Sequence, residues 1–422
     1  MWGKGALIAV LGFTMTFSIY KLNLSKAIFS TDEHISTHYM QTIVAQNAKS
    51  GLNMGIYKAW NEAWNTGNFT IAEDACTTIV SAATVGADSL QLMSKAWSYV
   101  FDEGHYAQTS QALKVQDSIT ALFAKETPIS HYFWFTNNEG GVQDWNKWIT
   151  TDTVSGPVHT NSAIYTYNSP VFNEKVTAYK GFSPDPVSSS STANFYDGWE
   201  VGIEIPIPTD MTVLVAAAII GNGLAPLNTK SIYNIDTSFE FFADGKVARI
   251  VGADPPDTVL VTDIAPTGVI YSANDVRVKG VFNGQLTIYT TDDIWFDDDL
   301  VYASDPTVNP GSDDILGLIA RDEIIVTDNV ANNSDCIIQA CIFTWNDDFE
   351  AENYSTRPLA GELKITGSIV QKNRGRIGNF NATTGIITAG FTRNYQYDTR
   401  LITLSPPYYP TISHLRLLSW WE

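Results

Sequence analysis

The chain has 422 residues, of which 44% are apolar, 12% aromatic and only 17% charged. Its 25 lysines and arginines oppose 45 aspartates and glutamates, so the formal net charge is −20. This composition excludes wholesale disorder, and the acidity argues against nucleic acid as a partner because phosphate backbones bind cationic surfaces. The three cysteines exclude a disulfide-dense scaffold and a multi-cysteine zinc ribbon. The low charged fraction, with many Thr, Ser, Asn, Gly and Tyr residues, is typical of an all-β protein of the cell exterior.

The N-terminal segment at residues 5–20 carries no charged side chain. Its 16 residues are fewer than the roughly 20 that a spanning helix needs, but it reaches that length at Leu24 if the Lys21 side chain extends to the membrane surface. A buried core helix and a cleaved secretory signal ending near residues 25–27 are the alternatives. We favour a retained membrane helix, with the acidic remainder of the chain outside the cytoplasm.

A second helix is predicted to begin at Ser30, which forms a capping box with Glu33, and to end at Gly67. Apolar residues recur through it at the helical period: Ile35, Tyr39, Ile43, Ala48, Leu52, Ile56, Trp60 and Ala63. Small residues recur every fourth position: Gly51, Gly55, Ala59 and Ala63. Such a stripe allows close helix packing, either on the protein's own sheet or against the helices of other subunits.

The N-terminus resembles that of type IV pilin-like proteins, and of the PilX-like minor pilins in particular. The resemblance covers about the first 65 residues and is carried by one cation, a glycine followed by ALIAVLG, and the helix IVAQNAKSGLNMGIYKAW. It implies a continuous helix that anchors the subunit in the membrane and then packs in a filament core. It also implies prepilin peptidase cleavage between Gly5 and Ala6. Val10 departs from the pattern, since major pilins carry Glu there.

Three antiparallel strands are predicted after this helix, at residues 77–83, 90–100 and 106–119, as in the small head of a pilin. Residues 182–198 are rich in proline and serine and predict a loop. Residues 211–225 are apolar and rich in alanine, and predict a short helix rather than a second membrane span.

From residue 268 short apolar segments recur with a period of 17 to 18 positions, as from Val276 to Ile294 and from Phe282 to Leu300. After a loop at residues 303–313 they continue with steps of about 22 to 25. Three short strands per period are typical of a parallel β-helix, in which alternate side chains stack inward on the turn below. An antiparallel sandwich is the alternative.

A second resemblance concerns residues 126–422. The segments GPVHTN and GSIVQKNRGRIGNF, together with the C-terminal stretch that ends in SWWE, are similar to an uncharacterised bacterial envelope domain that follows PilX-like leaders. This resemblance implies topology and context, and it implies no catalytic residues.

The predicted fold class is mainly β with a long N-terminal helix, in which a pilin-like α+β head is followed by a right-handed parallel β-helix. Four divisions are expected. Residues 1–29 form the anchor or leader and the start of the spine helix, and residues 30–125 form the rest of that helix and a small antiparallel sheet. Residues 126–267 form an irregular β region with the first β-helix turns, and residues 268–422 the remaining turns and a C-terminal cap.

The densest acidic cluster lies in TTDDIWFDDDL, at residues 290–300. Asp293, Asp297, Asp298 and Asp299 are the candidate ligands for calcium, which prefers oxygen donors. No EF-hand spacing or GGxGxD repeat supports that site. We therefore favour a solvated acidic rim and a protein without a cofactor.

No HExxH, GxSxG or P-loop motif occurs in the sequence. His159, within the family-like PVHTN, is interpreted as a structural residue of a turn. Because β-helices also host polysaccharide lyases and hydrolases, a sugar-cleaving enzyme is the rival class. Its site would use paired carboxylates, or calcium with a basic residue such as Arg374 or Arg376 near Lys372.

The three cysteines are predicted to be free and mostly buried. Cys336 and Cys341 are five positions apart, which on one strand is about 16 Å and too far for a disulfide.

The sequence as a whole predicts a structural protein of the bacterial cell envelope that is not an enzyme. It would be a pilin-like subunit, of the minor pilin or pseudopilin type, that presents a β-helical surface for assembly or adhesion. Its expected partners are the membrane and other pilin-like subunits or copies of itself. The alternative is a membrane-anchored protein that binds glycans or cleaves polysaccharides.

Overall fold

The computed structural model describes residues 2–62, 64–73, 76–86, 89–100, 113–124, 127–140, 147–150, 152–226, 229–381, 386–412 and 415–422. The chain divides into two compact units. The small unit contains Met1–Thr127 and Ser413–Glu422, and the large unit contains Pro128–Ile412.

The α-helices of the described ranges are α1 (Trp2–Asn61), α2 (Thr212–Leu224) and α3 (Val261–Ile264), and 3₁₀ turns lie at Ile129–His131 and Thr399–Ile402. The first strands are β1 (Gly67–Glu73), β2 (Cys76–Val85), β3 (Ser89–Val100), β4 (Leu113–Ala124), β5 (Thr127–Pro128), β6 (Trp134–Asn138), β7 (Thr153–Val154), β8 (Val158–Thr160), β9 (Ala163–Tyr165), β10 (Val171–Phe172), β11 (Val176–Ala178), β12 (Gly181–Ser183), β13 (Asn194–Phe195) and β14 (Trp199–Val201). They are followed by β15 (Ile232–Tyr233), β16 (Thr237–Phe241), β17 (Lys246–Val251), β18 (Asp257–Leu260), β19 (Val269–Ser272), β20 (Val276–Phe282), β21 (Gln285–Thr290), β22 (Ile294–Tyr302), β23 (Ile315–Ala320) and β24 (Ile324–Val326). The last strands are β25 (Cys336–Thr344), β26 (Phe349–Ala351), β27 (Leu359–Asn373), β28 (Gly378–Phe380), β29 (Ile387–Tyr397), β30 (Thr411–Ile412) and β31 (Arg416–Trp421).

The small unit is an antiparallel sheet with one face covered by α1. The strand order is β1-β2-β3-β4-β31. Val44, Ala48 and Leu52 of α1 are buried in one cluster with Leu90 and Leu92 of β3. Alternate residues of β2 are buried, as expected for a strand with one face on a core. The predicted strands at residues 77–83 and 90–100 are confirmed. The third, predicted at 106–119, is observed from Leu113, and residues 106–112 lie outside the described ranges.

The predicted small-residue stripe lies partly against the unit's own sheet. Gly51 and Gly55 are buried. A Cβ atom on Gly51 would lie 2.5 Å from Ser94 Oγ and 2.7 Å from Thr78 Cγ2, and one on Gly55 would lie 2.8 Å from a methyl carbon of Val80. Ala59 is half-buried in α1, and Ala63 lies outside the described residues. The helix start predicted at Ser30 is wrong, because α1 continues through that position.

The core of the large unit is built from parallel strands, most of which pair with the strand two elements further along the chain. One ladder follows the order β15-β19-β21-β23-β25-β27, and another follows β16-β20-β22-β24-β26. The register places Val276 beside Ile294, Ile294 beside Ile324 and Ile324 beside Phe349. These four side chains are 0 to 2% exposed, so inward residues of adjacent turns form continuous apolar columns. The short helix predicted at residues 211–225 is confirmed as α2.

The strands are not stacked in chain order. The second half of β27 pairs in parallel with β6, which is followed in the stack by β8, β11 and β14. The first strand of the stack along the chain, β6, therefore lies in its interior. The strands β8, β11 and β14 then extend the stack to one end. The chain then returns to the far end of the stack at β15, and winds back until β27 meets β6.

The fold class predicted from the sequence is therefore wrong, because the chain does not form a complete head that is followed by a purely parallel β-helix. The head is not completed before the larger unit, because β31 at the C-terminus supplies its fifth strand beside β4. The large unit is also not a purely parallel stack, since β16–β17, β17–β18 and β28–β29 are antiparallel pairs. The physical reason is that a repeat reveals which side chains face inward, whereas it does not specify which turn lies beside which.

A buried ion pair lies where β27 meets β6. Arg374, just after β27, donates to Glu139 Oε2 at 2.6 Å, and both side chains are at most 1% exposed. Glu139 also accepts from the Trp134 indole at 2.9 Å, and the guanidinium lies 4.4 Å from the centre of the Trp148 ring. Charges removed from water in this way require a partner, so the pair fixes the register of two segments that are distant in sequence.

The substitution Gly51→Val is expected to destabilise the small unit by about 2 kcal/mol or more, because its Cβ has no space against β2 and β3. Hydrogen exchange of peptides within residues 76–86 and 89–100 should accelerate. The exposed neighbour Ser50→Val is the control and should leave exchange unchanged. Equal exchange in both variants would contradict the packing described.

The substitution Arg374→Met is expected to lower the free energy of unfolding of the large unit by about 3 kcal/mol or more, because it leaves Glu139 buried without its cation. Arg277→Met is the matched control. It also removes a 2.6 Å ion pair, with Asp297, and a guanidinium that lies over a ring, Trp295, but the pair is partly exposed. Its cost in urea unfolding should be below about 1 kcal/mol. Similar costs for the two variants would show that the buried pair is not a constraint.

Candidate functional site: an acidic column on the large unit

One face of the large unit carries a column of acidic side chains. Thr237, Val276, Ile294, Ile324 and Phe349 occupy equivalent positions in the register of β16, β20, β22, β24 and β26. The residue before each of them is acidic, and these five residues form the acidic column: Asp236, Asp275, Asp293, Glu323 and Asp348. Because neighbouring strands lie about 4.8 Å apart, like charges accumulate along it.

Backbone amides account for part of this arrangement. The backbone N–H of Asp293 donates to Asp275 Oδ1 at 3.4 Å, and that of Glu323 donates to Asp293 Oδ1 at 2.8 Å. A carboxylate is a strong acceptor for an amide that leaves the ladder at a corner. Each turn thus positions the start of a strand in the next turn.

Three carboxylates meet at one point of the column. Oxygen atoms of Asp275, Asp292 and Asp293 lie within 4.8 Å of one another, and all three residues are half-buried. Burial raises the pKa of Asp275, and the charges of Asp292 and Asp236 raise it further. Burial also raises the pKa of Asp293, with added contributions from Asp275 and Asp292. Such an oxygen-rich trio is the donor set that could hold a hard cation such as Ca²⁺.

The aspartates chosen from sequence are mostly elsewhere. Asp293 belongs to the trio, whereas Asp297 is paired with Arg277 at 2.6 Å and accepts from the Thr327 hydroxyl at 3.0 Å. Asp299 accepts from the backbone N–H of Ile337 at 2.7 Å, and Asp298 is exposed. Asp297, Asp298 and Asp299 lie within β22, and the trio lies at its N-terminal corner and the corner before β20.

The end of the column at Asp348 contains carboxyl groups that titrate near neutral pH. Burial, together with the charges of Glu350, Asp347 and Glu323, raises the pKa of Asp348 to about 7. Burial and the charges of Glu323 and Asp347 raise the pKa of Glu350 to about 7, although Arg376 opposes both increases. In the part of the chain that the structure describes, Asp348 Oδ1 is buried and accepts no hydrogen bond. These groups can therefore exchange protons close to neutral pH.

The basic residues considered for a sugar-cleaving site are not gathered around one carboxylate pair. Arg374 is buried against Glu139, whereas Arg376 donates to the Tyr354 hydroxyl at 2.8 Å. Lys372 donates to the side-chain oxygen of Asn346 at 3.1 Å.

His159 is a buried member of the stack in β8. Its Nδ1 lies 2.7 Å from Thr177 Oγ1, and its Nε2 lies 3.0 Å from Asn161 Oδ1. The ring also lies 4.8 Å from that of Phe135, between their centres. These contacts give His159 a structural role, within a strand rather than the turn expected from the sequence.

The prediction of free, buried cysteines is confirmed for Cys76, Cys336 and Cys341. Burial raises the pKa of Cys336 to about 12 and that of Cys341 further still. Both thiols are therefore protonated at neutral pH and are not nucleophiles.

The predicted processing residues Gly5 and Ala6 lie within α1. Among the residues described here, no helix combines the length and the apolar character needed to cross a membrane.

Sequence reasoning missed Asp236, Asp275, Asp348 and Glu350. The available signal was an acidic residue directly before the first apolar residue of a strand, as in Asp275-Val276 and Asp348-Phe349. Insertions between turns make the spacing irregular, so the column becomes visible only in the register of the strands.

No model of a known protein family and no curated protein matches the sequence. Among solved structures, the chain is similar to the competence-associated pilin ComZ from Thermus thermophilus, at 9% sequence identity and a TM-score of 0.30. The similarity covers 90% of this chain and 97% of that chain. A TM-score of this size does not establish a shared fold, so the pilin-like and envelope-domain resemblances stay predictions from the sequence.

The acidic column predicts a pH dependence for the large unit. Because burial and like charges raise the pKa of Asp348 from about 4 in the unfolded chain to about 7 in the folded one, its stabilising effect is fully present below about pH 4 and is lost as pH rises from there to about 7. Asp348→Asn should therefore increase the free energy of unfolding by about 3 kcal/mol or more at about pH 8 and change it little near about pH 3.5. Urea unfolding at both pH values measures the difference. The exposed Asp298→Asn is the control, and an equal pH profile for both variants would contradict the assignment.

Proposed function

We propose that this protein is a pilin-like structural subunit of the bacterial cell envelope that presents its large unit for assembly or adhesion. The observation that supports this most directly is the division of α1 into two environments. Val44, Ala48 and Leu52 are 0 to 7% exposed against the sheet. By contrast, every side chain from residue 13 to residue 28 is exposed.

The exposed segment, residues 13–28, carries many large apolar side chains that would face water in an isolated molecule. Its large apolar side chains include Phe13, Met15, Phe17, Ile19, Leu22, Leu24 and Ile28, which are 48 to 80% exposed. Large apolar side chains exposed along one helical segment are typical of a contact with lipid or with other protein chains. In the proposed function, lipid covers the segment before assembly and the helices of like subunits cover it afterwards.

The features of the large unit also fit a module that is displayed outside the cell. The sheet of the small unit combines β1–β4 with β31, and the large unit lies between β4 and β31 in the chain. Repetitive parallel stacks expose long, regular faces, and such faces are used for recognition. The acidic exterior makes other subunits, cations or glycans the fitting partners, rather than polyanions.

The function predicts that residues 13–28 direct the protein to the cell envelope. Ile19→Asp should lower the membrane-associated or filament-associated fraction at least about fivefold, because it places a charge in the apolar segment. Val330→Asp is the matched control, since Val330 is a 96% exposed apolar residue of the large unit, and it should leave fractionation unchanged. Cell fractionation with immunoblotting is the measurement.

N-terminal sequencing of the recovered protein adds an independent test. A start at Ala6 supports prepilin processing, a start near Ile28 supports a secretory signal, and an intact start supports a simple anchor. Recovery of wild-type protein from the cytosolic fraction with Met1 intact would overturn the proposed function.

A further inference from the structure

Within the part of the large unit that the structure describes, the stack of parallel strands has an open end at β14. The register aligns Trp134, Val158, Val176 and Trp199 in one column. Exposure along that column is 3%, 1%, 0% and then 37%. The last residue is a core residue by position, and it is exposed because no further turn of the described ranges covers it.

A second column of the same face ends in the same way. Thr136 and Thr160 are fully buried, as is Ala178 above them, but Val201 at the terminal position is 50% exposed. The register pairs Thr160 with Ala178 and Ala178 with Val201.

The other faces of the terminal turn also bring core positions to the surface. Phe172 is 1% exposed, and its ring stacks at 5.0 Å on that of Phe195, which is only half-buried. Ile164 is fully buried beside Phe182, which is again half-buried. The open end is defined here as Phe182, Phe195, Trp199 and Val201.

The backbone of β14 is available for pairing on its outer side. Val176 N–H donates to Gly198 O, and Gly202 N–H donates to Ala178 O, which fixes the parallel pattern with β11. In that pattern Glu200 directs its N–H and C=O toward β11, so those of Trp199 and Val201 point the other way. Among the strands of the described ranges, β14 pairs in register with β11 alone.

The opposite end of the stack is closed by a helix. Leu214, Ala217 and Ala218 of α2 are buried, and α2 packs beside β15 and β19. End caps are what keep repetitive stacks soluble and separate. The two ends differ in kind. At the β14 end core positions of the strands themselves are exposed, whereas at the β15 end the exposed apolar side chains belong to the outer face of α2: Val213, Ile219, Ile220 and Leu224, which are 57 to 66% exposed.

The charged residues around the open end indicate what kind of partner binds there. Residues 180–204, which form the terminal turn and the chain that leaves it, contain one basic residue, Lys180, and four exposed acidic ones, Asp185, Asp197, Glu200 and Glu204. Their sum is 1 − 4 = −3. Glu200 is paired with Lys175 at 2.6 Å, so the attraction of a basic chain rests on Asp185, Asp197 and Glu204. A second copy of the open end would instead bring these like charges together.

We propose that the open end binds an extended, basic segment of a partner protein, which adds a strand beside β14. The backbone of the segment pairs with the outward amides and carbonyls of Trp199 and Val201, its alternate apolar side chains cover those two residues, and its flanking cations face the acidic turn. Strand addition to an exposed edge is an established mode of peptide recognition.

The test uses the full-length chain in detergent and a fluorescent peptide, Lys-Val-Thr-Val-Thr-Val-Lys, with fluorescence anisotropy as the readout. The peptide is expected to bind the wild type. Val201→Lys should weaken binding about tenfold or more, because an edge lysine removes the apolar contact and repels the cations. Val330→Lys is the matched control, with the same change in charge at another exposed valine, and it should bind as the wild type does.

Two further measurements separate the contribution of charge from that of backbone pairing. A peptide with glutamates in place of its lysines should bind about tenfold more weakly, and raising the salt concentration should weaken binding of the lysine peptide. Val201→Pro removes only an outward N–H and leaves the bonds of β14 to β11 in place, so it should also weaken binding.

Three results would overturn the proposal. One is that the lysine peptide does not bind the wild type. Another is that it binds Val201→Lys and Val330→Lys equally. The last is self-association of the wild type, measured by light scattering, that Val201→Lys abolishes, because the occupant would then be a second copy. None of these outcomes depends on whether α1 directs the protein to the envelope.

Discussion

The large unit depends on one constraint, which is that successive turns stack in register. Each parallel strand satisfies its backbone groups through neighbouring turns, and each inward side chain is buried by the one above and below it. Ile294 and Ile324 show the result, since both are fully buried although 30 positions separate them in the chain. A stack of this kind has two terminal turns, each with a neighbouring turn on one side only. The two ends of this stack differ. α2 covers one end, and the other leaves Trp199 and Val201 uncovered.

The same register organises the charges, both inside the unit and on its surface. At the junction of β27 and β6, the Arg374–Glu139 pair is enclosed, so each charge depends on the other. Along the acidic column, Asp275 and Asp293 are half-buried and accept backbone amides from the following turn. Repulsion between neighbouring carboxylates accompanies that role, which is why burial and like charge together move the pKa of Asp348 to about 7. The column is thus part of the scaffold, and carboxyl groups at its Asp348 end titrate near neutral pH.

In the small unit, the two parts of α1 differ in the exposure of their side chains. Where α1 meets the sheet, Gly51 and Gly55 allow close approach and Val44 is fully buried. Toward the N-terminus the helix keeps apolar side chains such as Phe13 and Phe17 in the open. The proposed envelope function gives that surface an apolar environment, and the proposed binding of a basic strand gives the open end of the large unit a partner.

The sequence by itself determined the features that depend on local pattern. It predicted β2 and β3 from apolar runs, α2 from an alanine-rich segment, and free buried thiols from the spacing of Cys336 and Cys341. Stacked turns were visible as a period because inward side chains must recur once per turn. Only the tertiary structure decided which turns are neighbours. It paired β27 with β6, returned β31 to the first sheet, and gathered Asp275, Asp292 and Asp293 while leaving Asp297, Asp298 and Asp299 apart. The physical reason is that backbone pairing between distant strands is sequence-independent, so its partners are set by the packing of the whole unit.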